Sequence, residues 1–124
     1  MTRRTEQKRA IQQAFGQTKR PLRPDEVLGV AQRVVPSLGI ATVYRNLKRM
    51  CAEGVLRVVQ LPGELTTMYE LADLHHHHHF HCGRCERVFD VDVCPGDFAA
   101  MAPQGFVVQK HELVLYGSCA ECAA

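Results

Sequence analysis

Residues 75–85 read HHHHHFHCGRC, and this stretch combines five consecutive histidines, a sixth histidine and a Cys-x-x-Cys pair. A second Cys-x-x-Cys pair follows at residues 119–122. Each pair can supply two corners of a tetrahedral zinc site, and four thiolates without an open position make a structural site. The 33 residues between the pairs exceed a usual zinc-ribbon spacing, so the intervening strands must bring the pairs together. We predict that a structural zinc ion is bound by Cys82, Cys85, Cys119 and Cys122. Redox chemistry of the two dithiols is the alternative.

The histidine run divides between two faces if it forms a strand, because consecutive residues of a strand point to opposite sides. His75, His77 and His79 would face one way, and His76 and His78 the other. Neutral imidazoles combined with carboxylates suit divalent iron, zinc, manganese or cobalt. The run could therefore supply two metal sites, together with ligands from Glu70, Asp73, Asp90, Asp92 and His111. Solvated histidines are the alternative, whereas a purification tag is disfavoured because the run is internal.

Charge is distributed unevenly along the chain, although the formal net charge is only +2. Residues 1–62 contain twelve lysines and arginines against four acids, a net charge of +8, whereas residues 63–124 contain three against nine, a net charge of −6. A basic half beside an acidic half rich in histidine and cysteine suggests that one binds a polyanion and the other binds cations. Solvated charge alone is the alternative.

The basic half predicts three helices followed by a hairpin. Apolar spacing predicts helices over residues 3–15 ending at Gly16, over 24–34, and over about 41–53. Strands at 56–61 and 66–71 complete a winged helix-turn-helix, whose recognition helix enters the major groove of DNA. The third helix has a cationic face with one aromatic side chain, and we predict that it contacts double-stranded DNA rather than only solvent through Tyr44, Arg45, Lys48 and Arg49.

The second half predicts a small α/β dimerisation domain with a strand at 88–93, a short helix at 97–102 and strands at 106–110 and 112–116. The fold class is therefore α+β, with a winged-helix DNA-binding domain at 1–68 and a metal-binding dimerisation domain at 69–124. Domains this small bury little apolar surface, so metal or dimerisation should contribute to their stability. The remaining cysteine, Cys51, is predicted to be a buried apolar residue of the third helix.

Several classes of protein are disfavoured by the sequence. No apolar run approaches the 18 residues of a membrane span and no signal peptide is present, which predicts a cytoplasmic protein without a membrane partner. In that compartment paired cysteines are more often metal ligands than disulfides. An enzyme is not expected, because the chain contains neither a His-Glu-x-x-His motif nor a Gly-rich phosphate loop.

Three stretches together resemble the ferric uptake regulator (Fur) superfamily of bacterial metal-responsive repressors. GIATVYRNLKRMCAEGVL at 39–56 is similar to the family's recognition-helix signature. MYEL at 68–71, leading into HHHHHFHCGRC, is similar to its His-rich, Cys-x-x-Cys signature, and KHELVLYGSCAEC at 110–122 is similar to its terminal segment. The resemblance covers most of the chain, and the order of the stretches makes it specific.

The resemblance implies a homodimeric repressor that binds operator DNA when a regulatory metal is bound. It assigns the four cysteines to structural zinc, and Tyr44 and Arg45 to DNA contact. It implies a regulatory site for a second divalent metal, which could be Fe, Zn or Mn, on Glu70, His77, His79 and Asp90. A further site would use the other histidines, His76, His78 and His111, with a fourth ligand left open between Asp92, Cys94 and Asp97.

Three departures from the family pattern bear on the metal. The zinc-sensing branch of the family often has a cysteine just upstream of the histidine run, and this chain has Ala72 near that position. The family often supplies a regulatory-site histidine from the loop before the second helix, and this chain has Leu22 there. The segment between Cys85 and His111 is about three residues shorter than usual.

The leading hypothesis is a metal-dependent repressor of genes for metal homeostasis or metal-linked stress. The alternatives are a metal buffer or chaperone, and a zinc-stabilised DNA-binding protein without metal sensing.

Overall fold

The computed structural model describes residues 2–72 and 75–124, so the candidate ligand Asp73 lies outside the described residues. The chain divides into two compact units, Met1–Leu74 and His75–Ala124, which we call the N-terminal and C-terminal units. The predicted domain boundary, after residue 68, lies inside a strand of the N-terminal unit. Among the described residues, no helix is both long and apolar enough to cross a membrane.

Three helices form most of the N-terminal unit: α1 (Arg3–Thr18), α2 (Pro24–Ala31) and α3 (Ile40–Ala52). Helix α1 continues through Gly16, so the predicted stop there is wrong. A glycine in a helix costs only about 1 kcal/mol, and the last turn is closed by Thr18, whose hydroxyl donates to the Ala14 carbonyl at 2.8 Å. The helix ends where Lys19 adopts a left-handed conformation with φ of 53°.

Helix α2 is shorter than predicted, because it ends at Ala31 instead of continuing to residue 34. The chain turns after Ala31, and the Val34 side chain is 58% exposed instead of facing the core. Helix α3 matches the predicted span within one residue at each end. The three helices and the start of the following strand enclose one apolar core, whose buried residues are Ala10, Ile11, Ala14, Phe15, Leu22, Val27, Ala31, Leu38, Val43, Leu47, Met50 and Leu56.

A two-stranded antiparallel hairpin follows α3. Its strands, β1 (Leu56–Val59) and β2 (Met68–Leu71), pair Leu56 with Leu71 at one end and Val59 with Met68 at the other. Both are shorter than the predicted strands. Leu22 adds a further bridge to β2, since its backbone N–H and carbonyl both bond to Tyr69 at 2.9 Å. The hairpin is thereby tied to the connection between α1 and α2.

The C-terminal unit is built on a three-stranded sheet of β3 (His78–Cys82), β4 (Val88–Val91) and β5 (Val114–Gly117), in the order β4-β3-β5. Strand β3 is antiparallel to β4 and parallel to β5. The predicted helix at 97–102 is a 3₁₀ helix, Phe98–Met101, which begins where the Asp97 side chain accepts from the Ala99 N–H. A one-turn helix, α4 (Ala120–Ala123), contains the last cysteine.

The predicted strand at 106–110 is wrong. Those residues lack regular secondary structure, and Phe106 and Val107 are 70% and 84% exposed. Their composition suggests a strand, but as far as the structure describes the chain they pair with neither edge of the sheet. Among the described residues, only three apolar residues of the C-terminal unit are buried, namely Cys82, Val88 and Cys119. This unit therefore has a much smaller apolar core than the N-terminal unit.

Candidate metal centres and nucleic-acid interface

The first candidate site is the four-cysteine cluster, which contains Cys82, Cys85, Cys119 and Cys122. Parallel pairing places Cys82 opposite Gly117, and the turns after β3 and β5 then bring the two Cys-x-x-Cys pairs together. The four sulfurs lie within 4.8 Å of one another, and those of Cys85 and Cys119 are 3.8 Å apart. A tetrahedral zinc ion with Zn–S bonds of about 2.3 Å requires sulfurs about 3.8 Å apart. The donor set and its spacing therefore fit zinc.

The surroundings of the four-cysteine cluster favour thiolates. Backbone N–H groups of Cys85 and Cys119 donate to the Cys82 sulfur at 3.5 and 3.3 Å, and these bonds, Cys85 first, lower the Cys82 pKa from 9.0 to about 5. Arg87 donates to the Cys85 sulfur at 3.2 Å, which lowers the pKa of that thiol. These donors stabilise the charged form that binds zinc.

The thiols of this cluster do not all ionise easily. The pKa of Cys122 is raised to about 12, mainly because its thiol is hydrogen-bonded to Cys119 and next because it is buried. Several like charges so close together are unfavourable without a cation between them. The Arg87 guanidinium also bonds to Glu121 at 2.7 Å, which fixes its position beside the sulfurs. A divalent ion would balance the remaining negative charge.

The second candidate site is the His-Asp triad, which we define within the C-terminal unit as His77, His79 and Asp90. The two histidines are two residues apart and so lie on the same face of the segment, and antiparallel pairing sets Asp90 opposite His79. The Nε2 atoms of His77 and His79 are 3.6 and 3.7 Å from the Asp90 Oδ1. Two imidazoles and a carboxylate suit iron, manganese or zinc.

The fourth predicted ligand of that site, Glu70, is in the N-terminal unit on β2. Its side chain is 2% exposed, and Arg57 donates to its Oε1 at 2.8 Å. A buried carboxylate is favourable only with such partners.

The third candidate site is the His₃Cys cluster, which contains His76, His78, Cys94 and His111. Their ligand atoms lie within 4.8 Å of one another. The sequence left Asp92, Cys94 and Asp97 as alternatives for the fourth ligand, and the structure places Cys94 with the histidines. Asp97 instead caps the 3₁₀ helix. In the sequence, Cys94 is distinguished from the other two only by lying three residues after the end of β4 at Val91. That spacing predicts a ligand only when the pairing register of β3 and β4 is known.

The exposed face of α3 is the candidate nucleic-acid interface. Its buried face consists of Val43, Asn46, Leu47 and Met50. Tyr44, Arg45, Lys48 and Arg49 are all exposed on the opposite side, and the Arg45 guanidinium is held against the helix by a 2.9 Å bond to the Thr42 hydroxyl. The structure therefore gathers the four predicted residues on one cationic surface. Cys51, predicted to be buried, is half-buried against the same core.

Comparison with known proteins places these features in one family. The sequence model of the Ferric uptake regulator family matches residues 1–116. The ferric uptake regulation protein of Bordetella parapertussis is 36% identical over 88 residues, which are 68% of this chain and 63% of that protein. The corresponding protein of Cupriavidus metallidurans is 32% identical over 104 residues, which are 82% of this chain and 72% of that protein. The chain thus spans less than two thirds of the Bordetella relative.

Solved structures share the same fold. The ferric uptake regulator from Francisella tularensis with iron has a TM-score of 0.71 at 28% identity, covering 100% of this chain and 94% of that chain. A zinc-bound manganese uptake regulator has a TM-score of 0.79 at 23% identity, covering 96% of this chain and 89% of that chain. These similarities confirm the predicted fold class, an α+β chain with an N-terminal winged helix and a C-terminal α/β unit.

Proposed function

Because the chain belongs to the Ferric uptake regulator family, we propose that it is a metal-dependent transcriptional repressor that binds operator DNA as a cytoplasmic homodimer. The observation that carries the proposal is that one chain combines a cationic exposed helix face with clustered metal ligands. Its curated relatives are named as regulation proteins and transcriptional regulators. The role is therefore regulatory and not enzymatic.

DNA recognition is assigned to α3. A recognition helix enters the major groove with one face towards the bases, and its flanks meet the phosphates. Tyr44, Arg45, Lys48 and Arg49 form that face, and Val43, Leu47 and Met50 anchor the opposite side in the core. The rigid attachment matters because base contacts require a fixed orientation, whereas phosphate contacts supply most of the affinity.

Dimerisation is assigned to the C-terminal unit. Several of its large apolar side chains are exposed, including Val93, Met101, Phe106, Val107 and Tyr116. Burial of such side chains against a second copy of the unit would remove their apolar surface from water. A homodimer presents two recognition helices, which suits two half-sites about one helical turn apart on the duplex.

Metal has two roles in the proposal. Zinc in the four-cysteine cluster stabilises the C-terminal unit, and a second divalent ion at the His-Asp triad, with Glu70 as the predicted fourth ligand, controls DNA affinity. Imidazole and carboxylate ligands accept iron, manganese and zinc, and iron leads because the relatives are named for ferric uptake regulation. An ion that prefers the DNA-binding arrangement by about 1–3 kcal/mol would change operator affinity roughly 5- to 150-fold.

The test is operator binding measured by fluorescence anisotropy on duplexes selected from a random-sequence library. Affinity is compared between chelated protein and protein loaded separately with Fe²⁺, Mn²⁺ or Zn²⁺. A His77→Ala, His79→Ala double variant should lose the metal-dependent increase while keeping its fold. His75→Ala is the matched control, since His75 lies in the same run but outside the three clusters.

The alternatives predict different results. A metal buffer would bind the ions without any effect of metal on DNA affinity. A zinc-stabilised DNA-binding protein would bind DNA equally well in the double variant and the parent. Either result would refute metal sensing at the triad, whereas a metal-dependent increase restricted to one ion would identify the regulatory metal.

A further inference from the structure

The His₃Cys cluster is assembled by strand register. Parallel pairing of β3 with β5 sets His79 opposite Val114, and the same sequence offset relates His76 to His111, which precede the two strands. Antiparallel pairing of β3 with β4 sets His78, the first residue of β3, opposite Val91, the last residue of β4. Cys94 follows β4 by three residues and therefore lies near the beginning of β3. The turn that follows uses Gly96 at φ of 125°, a conformation that favours glycine.

The ligand atoms of this cluster converge on one point. The Nε2 atoms of His76 and His111 are 3.2 Å apart, and the Cys94 sulfur lies 3.3 Å from the same His111 nitrogen. A tetrahedral zinc ion with Zn–N bonds of about 2.0–2.1 Å needs nitrogens about 3.3 Å apart. The spacing therefore fits one ion with four protein ligands.

His78 gives independent evidence for a ligand at this point. Its side chain is 2% exposed, and its Nε2 is buried without a hydrogen-bond partner among the described residues. A buried polar atom without a partner costs about 1–3 kcal/mol, and coordination of an ion would remove this cost. The Phe98 ring packs against His111 with centroids 4.7 Å apart, which shields one side of the cluster.

The donor chemistry separates this cluster from the His-Asp triad. The triad offers imidazoles and a carboxylate, whereas the His₃Cys cluster offers three imidazoles and a thiolate and no carboxylate. Thiolate and imidazole ligands favour zinc, while carboxylates also suit manganese and iron. We propose that the His₃Cys cluster is a closed zinc site, and that Cys94 is the ligand that makes it select zinc over ferrous iron and manganese.

The proposal rests on the proposed function and deepens it, since it gives the same chain a further metal ion with a different selectivity from the ion at the triad. The rival interpretation is a set of histidines hydrogen-bonded to one another without metal, because a 3.2 Å contact between ring nitrogens is also a hydrogen-bond distance. The rival gives Cys94 no role in metal binding. The two interpretations therefore differ at the sulfur.

The experiment uses Co²⁺ as a spectroscopic probe of sulfur ligation in the full-length chain. A His77→Ala, His79→Ala background removes the triad, and cobalt spectra are compared with and without a further Cys94→Ala change. Cobalt in the four-cysteine cluster contributes equally to both proteins, so the difference spectrum isolates Cys94. We expect the near-ultraviolet thiolate-to-cobalt absorption to fall in Cys94→Ala by the contribution of one sulfur ligand, and to be unchanged in the control Cys51→Ala.

Competition titrations test the selectivity. We expect Cys94→Ala to weaken zinc binding at this site at least about tenfold, as even the loss of an outer-shell partner does, with Fe²⁺ and Mn²⁺ binding changed much less. Cys94→Asp should narrow the preference for zinc over Mn²⁺, because it replaces the sulfur by a carboxylate. If Cys94→Ala alters the circular dichroism spectrum, the same titrations are made with Cys94→Ser, whose side chain is nearly isosteric with cysteine.

A flat difference spectrum with unchanged zinc affinity would overturn the proposal in favour of the hydrogen-bonded histidines. The same fall in absorption in Cys51→Ala would overturn it as well, since the sulfur ligand would then not be Cys94. DNA takes no part in these measurements. Failure of metal-dependent repression therefore leaves them unchanged, and their failure leaves repression at the triad intact.

Discussion

Replacing one cysteine of the four-cysteine cluster should unfold the C-terminal unit and leave the N-terminal unit folded. Of the 18 buried apolar residues in the part of the chain that the structure describes, 15 lie in the N-terminal unit and three in the C-terminal unit. Two of those three, Cys82 and Cys119, belong to the cluster itself. The sheet of β3, β4 and β5 therefore depends on zinc for stability that an apolar core would otherwise provide.

The magnitude follows from this imbalance. Structural zinc binding is worth about 10–16 kcal/mol at neutral pH, whereas a whole domain is stable by only about 5–15 kcal/mol. Full burial of Val88, the one aliphatic side chain in the small core, contributes about 1.5–3 kcal/mol. The free energy lost with zinc is therefore as large as the whole free energy of unfolding of a domain. We expect Cys82→Ser to unfold the C-terminal unit.

The assay pairs zinc analysis with amide NMR spectra of the full-length chain. Cys82→Ser should purify without stoichiometric zinc and lose the dispersed resonances of residues 75–124, while those of 2–72 persist. Cys51→Ser is the matched control, because Cys51 lies outside the cluster and should keep both zinc and fold. A Cys82→Ser protein with unaltered zinc content and native C-terminal resonances would refute the assignment of these cysteines.

Three further perturbations test other parts of the structure. Arg45→Ala should weaken DNA binding and reduce the slope of log affinity against log salt concentration by about 1, measured by fluorescence anisotropy between low and physiological salt. An unchanged slope would show that Arg45 does not contact a DNA phosphate. Phe15→Ala should cost about 3–5 kcal/mol in urea unfolding of the N-terminal unit, since Phe15 is 1% exposed in its core. Zinc should be retained at neutral pH and released on acidification towards pH 5, followed with a zinc-binding dye. Protons compete with zinc for the thiolates, so acid releases the ion. In the metal-free unit the Cys82 pKa is lowered from 9.0 to about 5, so the folding free energy that this thiolate contributes is complete above about pH 9, declines as the pH falls and is gone below about pH 5.

The sequence predicted the parts of the fold that depend on local pattern. Amphipathic spacing located α3 within one residue, because Val43, Leu47 and Met50 fill a single buried stripe. Alternation along the histidine run predicted two faces, and the structure separates His76 and His78 from His77 and His79 accordingly. Such features need only the period of a helix or a strand.

Features that depend on tertiary context were missed. Local sequence predicts a helix stop at Gly16, yet α1 continues to Thr18, whose hydroxyl bonds to the Ala14 carbonyl. Residues 106–110 have a strand-like composition, yet among the described residues they pair with no strand of the sheet. Cys94 could not be chosen over Asp92 and Asp97, because the choice depends on the register of β3 with both neighbours. Spacing along the chain does not contain that register.

The shared use of β3 implies an order among the three metal clusters. Its residues point alternately to the two sides of the sheet, and a slip of one residue would exchange the ligands of the His-Asp triad and the His₃Cys cluster. Cys82, at the end of the same strand, has its sulfur bonded to the N–H of Cys119 beyond β5, so zinc there fixes the register for both. We therefore expect Cys82→Ser to abolish cobalt binding at the other two clusters, although it removes no ligand from either. Retained stoichiometric binding at either cluster would show that the register of β3 is fixed without the four-cysteine cluster.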